Sequence, residues 1–110
     1  MKKSEFDNLL NDCFSVVYFR SAECFYCKHM DSIIYNIKNE IDNNIKFTTL
    51  NKSIDDDIIE HYSIDSFPTI MFFSNGNPIN FIFGSITYKE DFLKEIEEYY
   101  DEYKKILRAK

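Results

Sequence analysis

The sequence has no tryptophan and only two glycines, two prolines and three cysteines among its 110 residues. So few glycines and prolines argue against long flexible linkers, and we expect a single domain spanning residues 1–110. Basic residues number 13 against 19 acidic ones, and the net charge of -6 argues against a general nucleic-acid or anionic-membrane surface. No apolar run approaches the roughly 18 residues that a membrane span requires.

The amino-terminal segment is not expected to be a secretory signal peptide. Residues 1–7 read Met-Lys-Lys-Ser-Glu-Phe-Asp, without the apolar centre of a signal peptide. A cytoplasmic location is therefore expected. Because thiols stay reduced there, a Cys-x-x-Cys pair in this chain is expected to be catalytic or metal-binding and not a permanent cross-link.

Cys24 and Cys27 form such a pair. The β-branched and aromatic run 14–19 before them predicts a buried strand. After them, apolar residues spaced three and four apart predict a helix from about Phe25 to Ile41 with one buried face. The pair would thus lie where a strand turns into a helix. The free N–H groups of a first helical turn favour a thiolate over a thiol, which lowers a cysteine pKa.

Periodicity and turn signals predict the order α-β-α-β-α-β-β-α. The first four predicted elements are a helix capped by Ser4, strand 14–19, helix 25–41 and strand 45–50. A short helix with Ile54, Ile58, Ile59 and Tyr62 inside follows, and then strands 69–73 and 78–83 around a hairpin at 74–77. The final helix has a capping box at Thr87 and Glu90, and its inner face consists of Phe92, Leu93, Ile96, Tyr99, Tyr100, Tyr103, Ile106 and Leu107. The strand–helix–strand unit makes the first two strands parallel. We therefore expect an α/β sandwich with a four-stranded mixed sheet.

These features together resemble the thioredoxin superfamily. The Cys-x-x-Cys turn is followed by Phe67-Pro68-Thr69 before a hairpin, by Asn75-Gly76 inside the hairpin, and by Gly84 before the last helix. The resemblance covers the chain from about Phe14 to the last helix and leaves out only the family's N-terminal strand. It implies the family's three-layer fold, in which helices flank the sheet on both faces.

The resemblance implies thiol–disulfide exchange on protein disulfides, without a cofactor. Cys24 would be the attacking thiolate and Cys27 the resolving thiol, because two intervening residues let the second sulfur reach the mixed disulfide. The peptide bond before Pro68 would be cis, with Pro68 against the cysteine pair. An extended substrate would bind along Phe67, Pro68, Phe25 and Tyr26.

Several positions differ from ordinary thioredoxins. Glu23 replaces the tryptophan that usually precedes the first cysteine, and a carboxylate there disfavours a neighbouring thiolate. Phe25-Tyr26 replaces Gly-Pro between the cysteines. Tyr18 aligns with the family's buried aspartate, and Thr49 aligns with the partner lysine of that aspartate. Glu23 and the aromatic pair are expected to tune the reduction potential.

Two alternatives to catalysis stay open from the sequence. One is a zinc site in which Cys24, Cys27 and His29 share a metal, although no second Cys-x-x-Cys supplies further ligands and we predict no metal. The other is a peptide-binding or scaffold module with little turnover. The remaining candidates are interpreted as structural: Cys13 as a small core residue, Lys28 and His29 as solvated positions, His61 as a helix-end residue, Asp55-Asp56-Asp57 as a solvated face, and Tyr99, Tyr100 and Tyr103 as packing residues.

The expected partners follow from the exchange chemistry. We expect protein disulfides as substrates and an external reductase as the electron donor. We expect a monomer that uses neither nucleic acid nor a membrane as a partner.

Overall fold

The computed structural model describes residues 1–84, 86 and 88–109. Its elements are α1 (Lys3–Leu9), β1 (Phe14–Arg20), α2 (Phe25–Ile37), β2 (Ile45–Asn51), α3 (Asp56–His61), β3 (Thr69–Ser74), β4 (Asn77–Phe83) and α4 (Lys89–Arg108). The strands form one sheet in the order β2-β1-β3-β4. β1 and β2 are parallel, and the other two pairs of neighbours are antiparallel. The predicted α/β fold with a four-stranded mixed sheet is confirmed.

β1 is buried on both faces, as its β-branched and aromatic residues predict. Phe14, Val16 and Tyr18 pack in the cluster that α2 and α4 complete. Val17 and Phe19 pack in a second cluster, which α1 and α3 cover from the other side. Since both layers of helices bury this strand, its C-terminal end is a fixed platform for the cysteine turn that follows.

The hairpin between β3 and β4 matches its sequence signal. Asn75 has φ 50° and Gly76 has φ 80°, both in the left-handed region that a two-residue hairpin turn requires. Asn75 also accepts a hydrogen bond from the backbone N–H of Asp12, with an N···O distance of 2.7 Å. The turn is thereby held against the segment that leads into β1.

Three predicted helix boundaries are wrong. α2 ends at Ile37, and a turn in which Glu40 N–H donates to the Ile37 carbonyl (2.8 Å) carries Ile41 to the core instead. α1 begins after Lys2, and Ser4 does not cap it. The predicted short helix begins only at Asp56, which leaves Ile54 exposed. The apolar pattern overestimates the length of α2 because a turn can bring an apolar side chain such as Ile41 to the core as well as a helix can.

The last helix differs from the prediction at its C-terminal end. Ile106 and Leu107, which the sequence predicts on the inner face, are 55% and 51% exposed. A helix of 20 residues is about 30 Å long, so its last turn passes beyond the sheet that covers Phe92, Ile96 and Tyr100. The predicted capping box depends on Thr87, which lies outside the described residues.

The acidic run 55–57 is not a uniformly solvated face. Asp55 is buried, and its carboxylate accepts hydrogen bonds from the Asn51 backbone N–H (2.9 Å) and from the amino group of Met1 (2.6 Å). The interpretation of Asp55 as solvated is therefore wrong, whereas Asp56 and Asp57 are exposed. The sequence misled here because a buried carboxylate that closes a loop has the same neighbours as a solvated one.

Asp55→Ala is expected to lower the free energy of unfolding by about 1–3 kcal/mol, because the half-buried Asn51 N–H would lose its acceptor. Urea titration of the variant checks this value. Glu60→Ala is a matched control, since Glu60 is an exposed carboxylate on the neighbouring helix α3. Equal stability of the two variants would contradict a structural role for Asp55.

Candidate active site

Cys24 and Cys27 lie at the junction of β1 and α2, where the sequence predicts them. They are joined as a disulfide with a Cα–Cα distance of 5.2 Å. Cys24 is the N-cap residue of α2, and its sulfur accepts a hydrogen bond from the backbone N–H of Cys27 at 3.1 Å. A thiolate at Cys24 would be the stronger acceptor for that N–H group and would face the positive end of the helix dipole.

The two sulfurs differ in their access to solvent. Cys24 is half-buried, while Cys27 is fully buried on the inner side of the first turn of α2. A molecule in solution can therefore reach the Cys24 sulfur, whereas the Cys27 sulfur is accessible only from inside the protein. This asymmetry suits one attacking and one resolving thiol, which is the assignment that the resemblance implies.

The third cysteine lies away from the pair. Cys13 precedes β1 and the pair follows it, so a strand of seven residues, about 20 Å long, separates them. Cys13 is half-buried, and its sulfur lies 3.3 Å from the Ser15 hydroxyl. Cys13 thus lies at the edge of the core and not within it.

His61 lies in the last turn of α3, with its ring against Tyr62.

The two residues between the cysteines project into solvent. Phe25 is 80% exposed and Tyr26 is 62% exposed, and their rings meet edge to face with centroids 5.5 Å apart. Together the two rings leave a large apolar area in water beside Cys24. The rings adjoin the more accessible sulfur and are therefore placed to contact a molecule that approaches Cys24.

Phe67 lies across the site from the aromatic pair. It shares with Cys24 an open depression of about 390 Å³, whose wall residues are Ser21, Glu23, Cys24, Phe25, Tyr26, Asp65, Ser66 and Phe67. The Phe67–Pro68 peptide bond is cis, as the resemblance implies. Pro68 is buried, and its carbonyl accepts a hydrogen bond from Gly84 N–H at 3.0 Å. Contact between Pro68 and the sulfurs stays a prediction.

A hydrogen-bond network lies on the inner side of the cysteine turn. The buried hydroxyl of Tyr18 lies 2.9 Å from the Cys27 carbonyl and 2.7 Å from a carboxylate oxygen of Asp31. Arg20 donates to both oxygens of Asp31, each at 3.0 Å, and to the Asn51 side-chain oxygen at 2.8 Å. The network therefore connects the ends of β1 and β2 to the first turns of α2.

Burial and the hydrogen bond to Asp31 both raise the pKa of Tyr18 far above its ordinary value. Its hydroxyl thus keeps its proton throughout the physiological range and remains a donor. The hydrogen bond to Asp31 likewise raises the pKa of the Arg20 guanidinium, which stays charged. Tyr18 and Thr49 face each other across β1 and β2, where the family's aspartate and lysine are expected.

This region also contains Arg20, Asp31 and Asp65, which the sequence does not predict as site residues. Arg20 ends the apolar run of β1, and Asp31 follows Cys27 by four residues on the same side of α2. Those two positions were the available signal. Nothing in the sequence distinguishes Asp65 from other loop carboxylates.

Two further findings concern ligands and membranes. Within residues 1–84, 86 and 88–109, no three His, Cys, Asp or Glu side chains are grouped closely enough to share a metal ion. None of the described helices combines the length and the apolar composition needed to span a bilayer.

Comparison with known proteins places the chain in a family. The thioredoxin family model matches residues 1–98. The thioredoxin of Porphyra purpurea is 28% identical over 76 residues, which cover 69% of this chain and 71% of that protein. The family match and the disulfide-forming pair support thiol–disulfide oxidoreductase activity in general.

Two solved structures share the fold. The Malassezia sympodialis thioredoxin Mala s 13 superposes with a TM-score of 0.75 at 20% identity, over 88% of this chain and 84% of the other. A chain from a structural study of thiol resolution in yeast mitochondrial 1-Cys peroxiredoxin, via glutathione/thioredoxin systems, superposes with a TM-score of 0.73 at 22% identity, over 86% and 88%. Since the family model spans most of the sequence and the expected cysteine pair lies at the expected turn, the chain belongs to the thioredoxin family.

Proposed function

We propose that this protein reduces protein disulfides, with Cys24 as the nucleophile and Cys27 as the resolving thiol. The observation that carries the proposal is the half-exposed Cys24 at the N-cap of α2, paired with a fully buried Cys27. The helix N-terminus stabilises the thiolate that attacks, and burial protects the second thiol from other reactants.

The proposed reaction has two exchange steps. The Cys24 thiolate attacks one sulfur of the substrate disulfide, forms a mixed disulfide and releases the other substrate sulfur as a thiolate. Cys27 then loses its proton and attacks the Cys24 sulfur, which forms the Cys24–Cys27 disulfide and releases the second substrate thiolate. The substrate gains two electrons and two protons. An external dithiol reductase returns two electrons to the pair.

Substrate binding is assigned to the depression around Cys24. Phe25, Tyr26 and Phe67 supply apolar surface, and an extended chain would pair with the backbone of Phe67 as an added strand. Binding by backbone and by unspecific apolar contact would suit many protein substrates. The proposal includes a cytoplasmic monomer that acts without nucleic acid, a membrane or a cofactor.

Equilibration of the Cys24–Cys27 pair against glutathione tests the proposed function. The expected reduction potential lies within about −270 to −120 mV, the range of catalytic pairs of this type, and toward the negative end for a reductase. The fraction of oxidised protein is measured by thiol trapping and mass spectrometry. The Cys13→Ser variant is used throughout, so that only the pair contributes.

The same measurement separates the proposal from a peptide-binding module with little turnover. A pair that stays oxidised well below −300 mV would behave as a structural disulfide and would contradict reductase chemistry. In that case the exposed Phe25 and Tyr26 would still favour a binding role.

A further inference from the structure

The exchange chemistry does not account for the network beneath the cysteine turn. Exchange needs two thiols and a helix N-terminus, whereas Tyr18, Arg20 and Asp31 touch neither the solvent-facing side of Cys24 nor the depression around it. Their hydrogen bonds instead lead to one backbone atom, the carbonyl oxygen of Cys27. The carbonyl is the only active-site atom to which this chain of hydrogen bonds leads among the described residues.

We propose that Tyr18, Arg20 and Asp31 are positioning residues that hold the first turn of α2, and with it Cys27, in place for the resolving step. This inference rests on the proposed function and adds the residues that serve its second step. Arg20 fixes the carboxylate of Asp31, the carboxylate and the Cys27 carbonyl together fix the Tyr18 hydroxyl, and the hydroxyl links the turn to β1.

The geometry of the Arg20–Asp31 ion pair indicates that the carboxylate of Asp31 is held rigidly. Arg20 binds both carboxylate oxygens of Asp31 in the planar fork arrangement that guanidinium groups favour, and its third hydrogen bond goes to Asn51 on β2. Arg20, Asp31 and Asn51 are each half-buried. Two strands of the sheet therefore contribute to the position of the carboxylate.

The Tyr18 hydroxyl has one proton and two acceptors within hydrogen-bonding distance. The carboxylate is the stronger acceptor and lies closer to the hydroxyl, so the proton points mainly toward Asp31 and the bond to the Cys27 carbonyl is the weaker of the two. The position of the Cys27 carbonyl is consequently sensitive to the charge that Asp31 carries. A hydrophobic contact would hold the turn without this sensitivity.

The network also brings two opposite charges near the pair. Asp31 disfavours a thiolate at Cys24 or Cys27, and Arg20 favours one. The other charged or titratable groups around the turn are Glu23, Tyr26, Lys28, His29 and Asp65, which all lie in exposed positions where solvent screens them. Arg20 and Asp31 are therefore the charged groups near the turn whose positions are fixed by hydrogen bonds within the protein.

Charge variants provide a readout with a sign. Asp31→Asn is expected to lower the alkylation pKa of Cys24 by about half a pH unit, and Arg20→Gln is expected to raise it by a similar amount. The double variant should return close to the wild-type value. A half-unit change is about a threefold change in equilibrium, or about 15 mV in the potential of a two-electron pair. The pKa is measured from the pH dependence of iodoacetamide labelling of the reduced protein.

Tyr18→Phe tests the hydrogen bond without a change of charge. The variant should change the rate at which reduced Cys24 attacks a thionitrobenzoate disulfide less than it changes the resolving step, because the hydroxyl contacts Cys27 and not Cys24. Release of thionitrobenzoate from a preformed mixed disulfide at Cys24, which requires attack by Cys27, should slow about 3–10-fold, the effect of one lost hydrogen bond.

Two matched controls accompany these variants. Tyr35→Phe removes a hydroxyl from a tyrosine that is 78% exposed on the same helix, and Glu97→Gln removes one negative charge from the exposed side of α4. Both should leave the alkylation pKa and the release rate at wild-type values. Circular dichroism and a thermal unfolding midpoint confirm that each variant is folded before it is compared.

Shifts of the same sign in Asp31→Asn and Arg20→Gln, or no shift in either, would overturn the inference. Unchanged release from Tyr18→Phe would do the same for the hydrogen bond. The alkylation pKa and the release from a synthetic mixed disulfide need no protein substrate and no reductase. These measurements would therefore stay valid if the proposed reductase function failed. Confirmation of that function would not by itself imply the predicted pKa shifts or the slower release.

Discussion

Cys24→Ser is expected to abolish disulfide reduction, with a loss on the order of 10³-fold or more. A serine hydroxyl at neutral pH is almost entirely protonated and is a weak nucleophile toward sulfur, whereas a thiolate at the N-cap of α2 is both ionised and strongly nucleophilic. Removal of a covalent nucleophile commonly eliminates nearly all of the catalysed rate. Reduction of a protein disulfide by dithiothreitol, with and without the protein, measures the effect.

Cys27→Ser should fail in a different way. Cys24 would still attack, but no second thiol could release the substrate, so a mixed disulfide should accumulate. Such an adduct appears as a band on a non-reducing gel that dithiothreitol removes. If Cys24→Ser accumulated the mixed disulfide and Cys27→Ser did not, the nucleophile would be Cys27 and the resolving thiol Cys24.

Cys13→Ser is the matched control for both variants, because it makes the same substitution at a half-buried thiol beyond the other end of β1. It should retain activity within about twofold, since surface or edge substitutions away from the site have small effects. Loss of activity in this variant would show that Cys13 takes part in the reaction. Peptide mapping after labelling at mildly acidic pH should find Cys24 modified first.

The strand-to-helix turn was predictable because the apolar pattern of a buried strand ends there and the apolar pattern of a helix begins. The apolar run 14–19 can be buried on both faces only in the middle of a sheet, and the three- and four-residue spacing after Cys27 fits only a helix. Glycine at position 76 fixed the hairpin in the same local way. Such signals depend on neighbours in sequence, so they hold before the tertiary fold is known.

The support beneath the site was not predictable in the same way. Tyr18 aligns with the family's buried aspartate, but its acceptor comes from the next helix and depends on how α2 packs on β1. Arg20 and Asp31 are 11 residues apart, and nothing in the sequence selects that pair over other opposite charges. The same reasoning explains Asp55, whose acidic neighbours made a solvated face the simpler interpretation.

Phe72→Ala is expected to lower the free energy of unfolding by about 3–5 kcal/mol. Phe72 lies on β3, in the middle of the sheet, and is fully buried in the cluster that α2 and α4 complete. Its ring stacks on Phe14 at a centroid distance of 6.5 Å and tilts against Tyr99 at 4.8 Å. Truncation would remove these contacts and leave a cavity between β1 and α4, which the rigid sheet could fill only in part.

A loss of that size is a large fraction of the roughly 5–15 kcal/mol that stabilises a typical domain. Urea titration with the cysteine pair held oxidised measures it without a contribution from the redox state. Phe83→Ala on the adjacent strand β4 is the matched control, because Phe83 is 68% exposed and stacks only on Phe81 among the described aromatic pairs. Its loss should stay below about 1 kcal/mol. If both variants lost equal stability, burial would not explain the difference between the two phenylalanines, and the assignment of the core to the α2 and α4 side of β3 would be wrong.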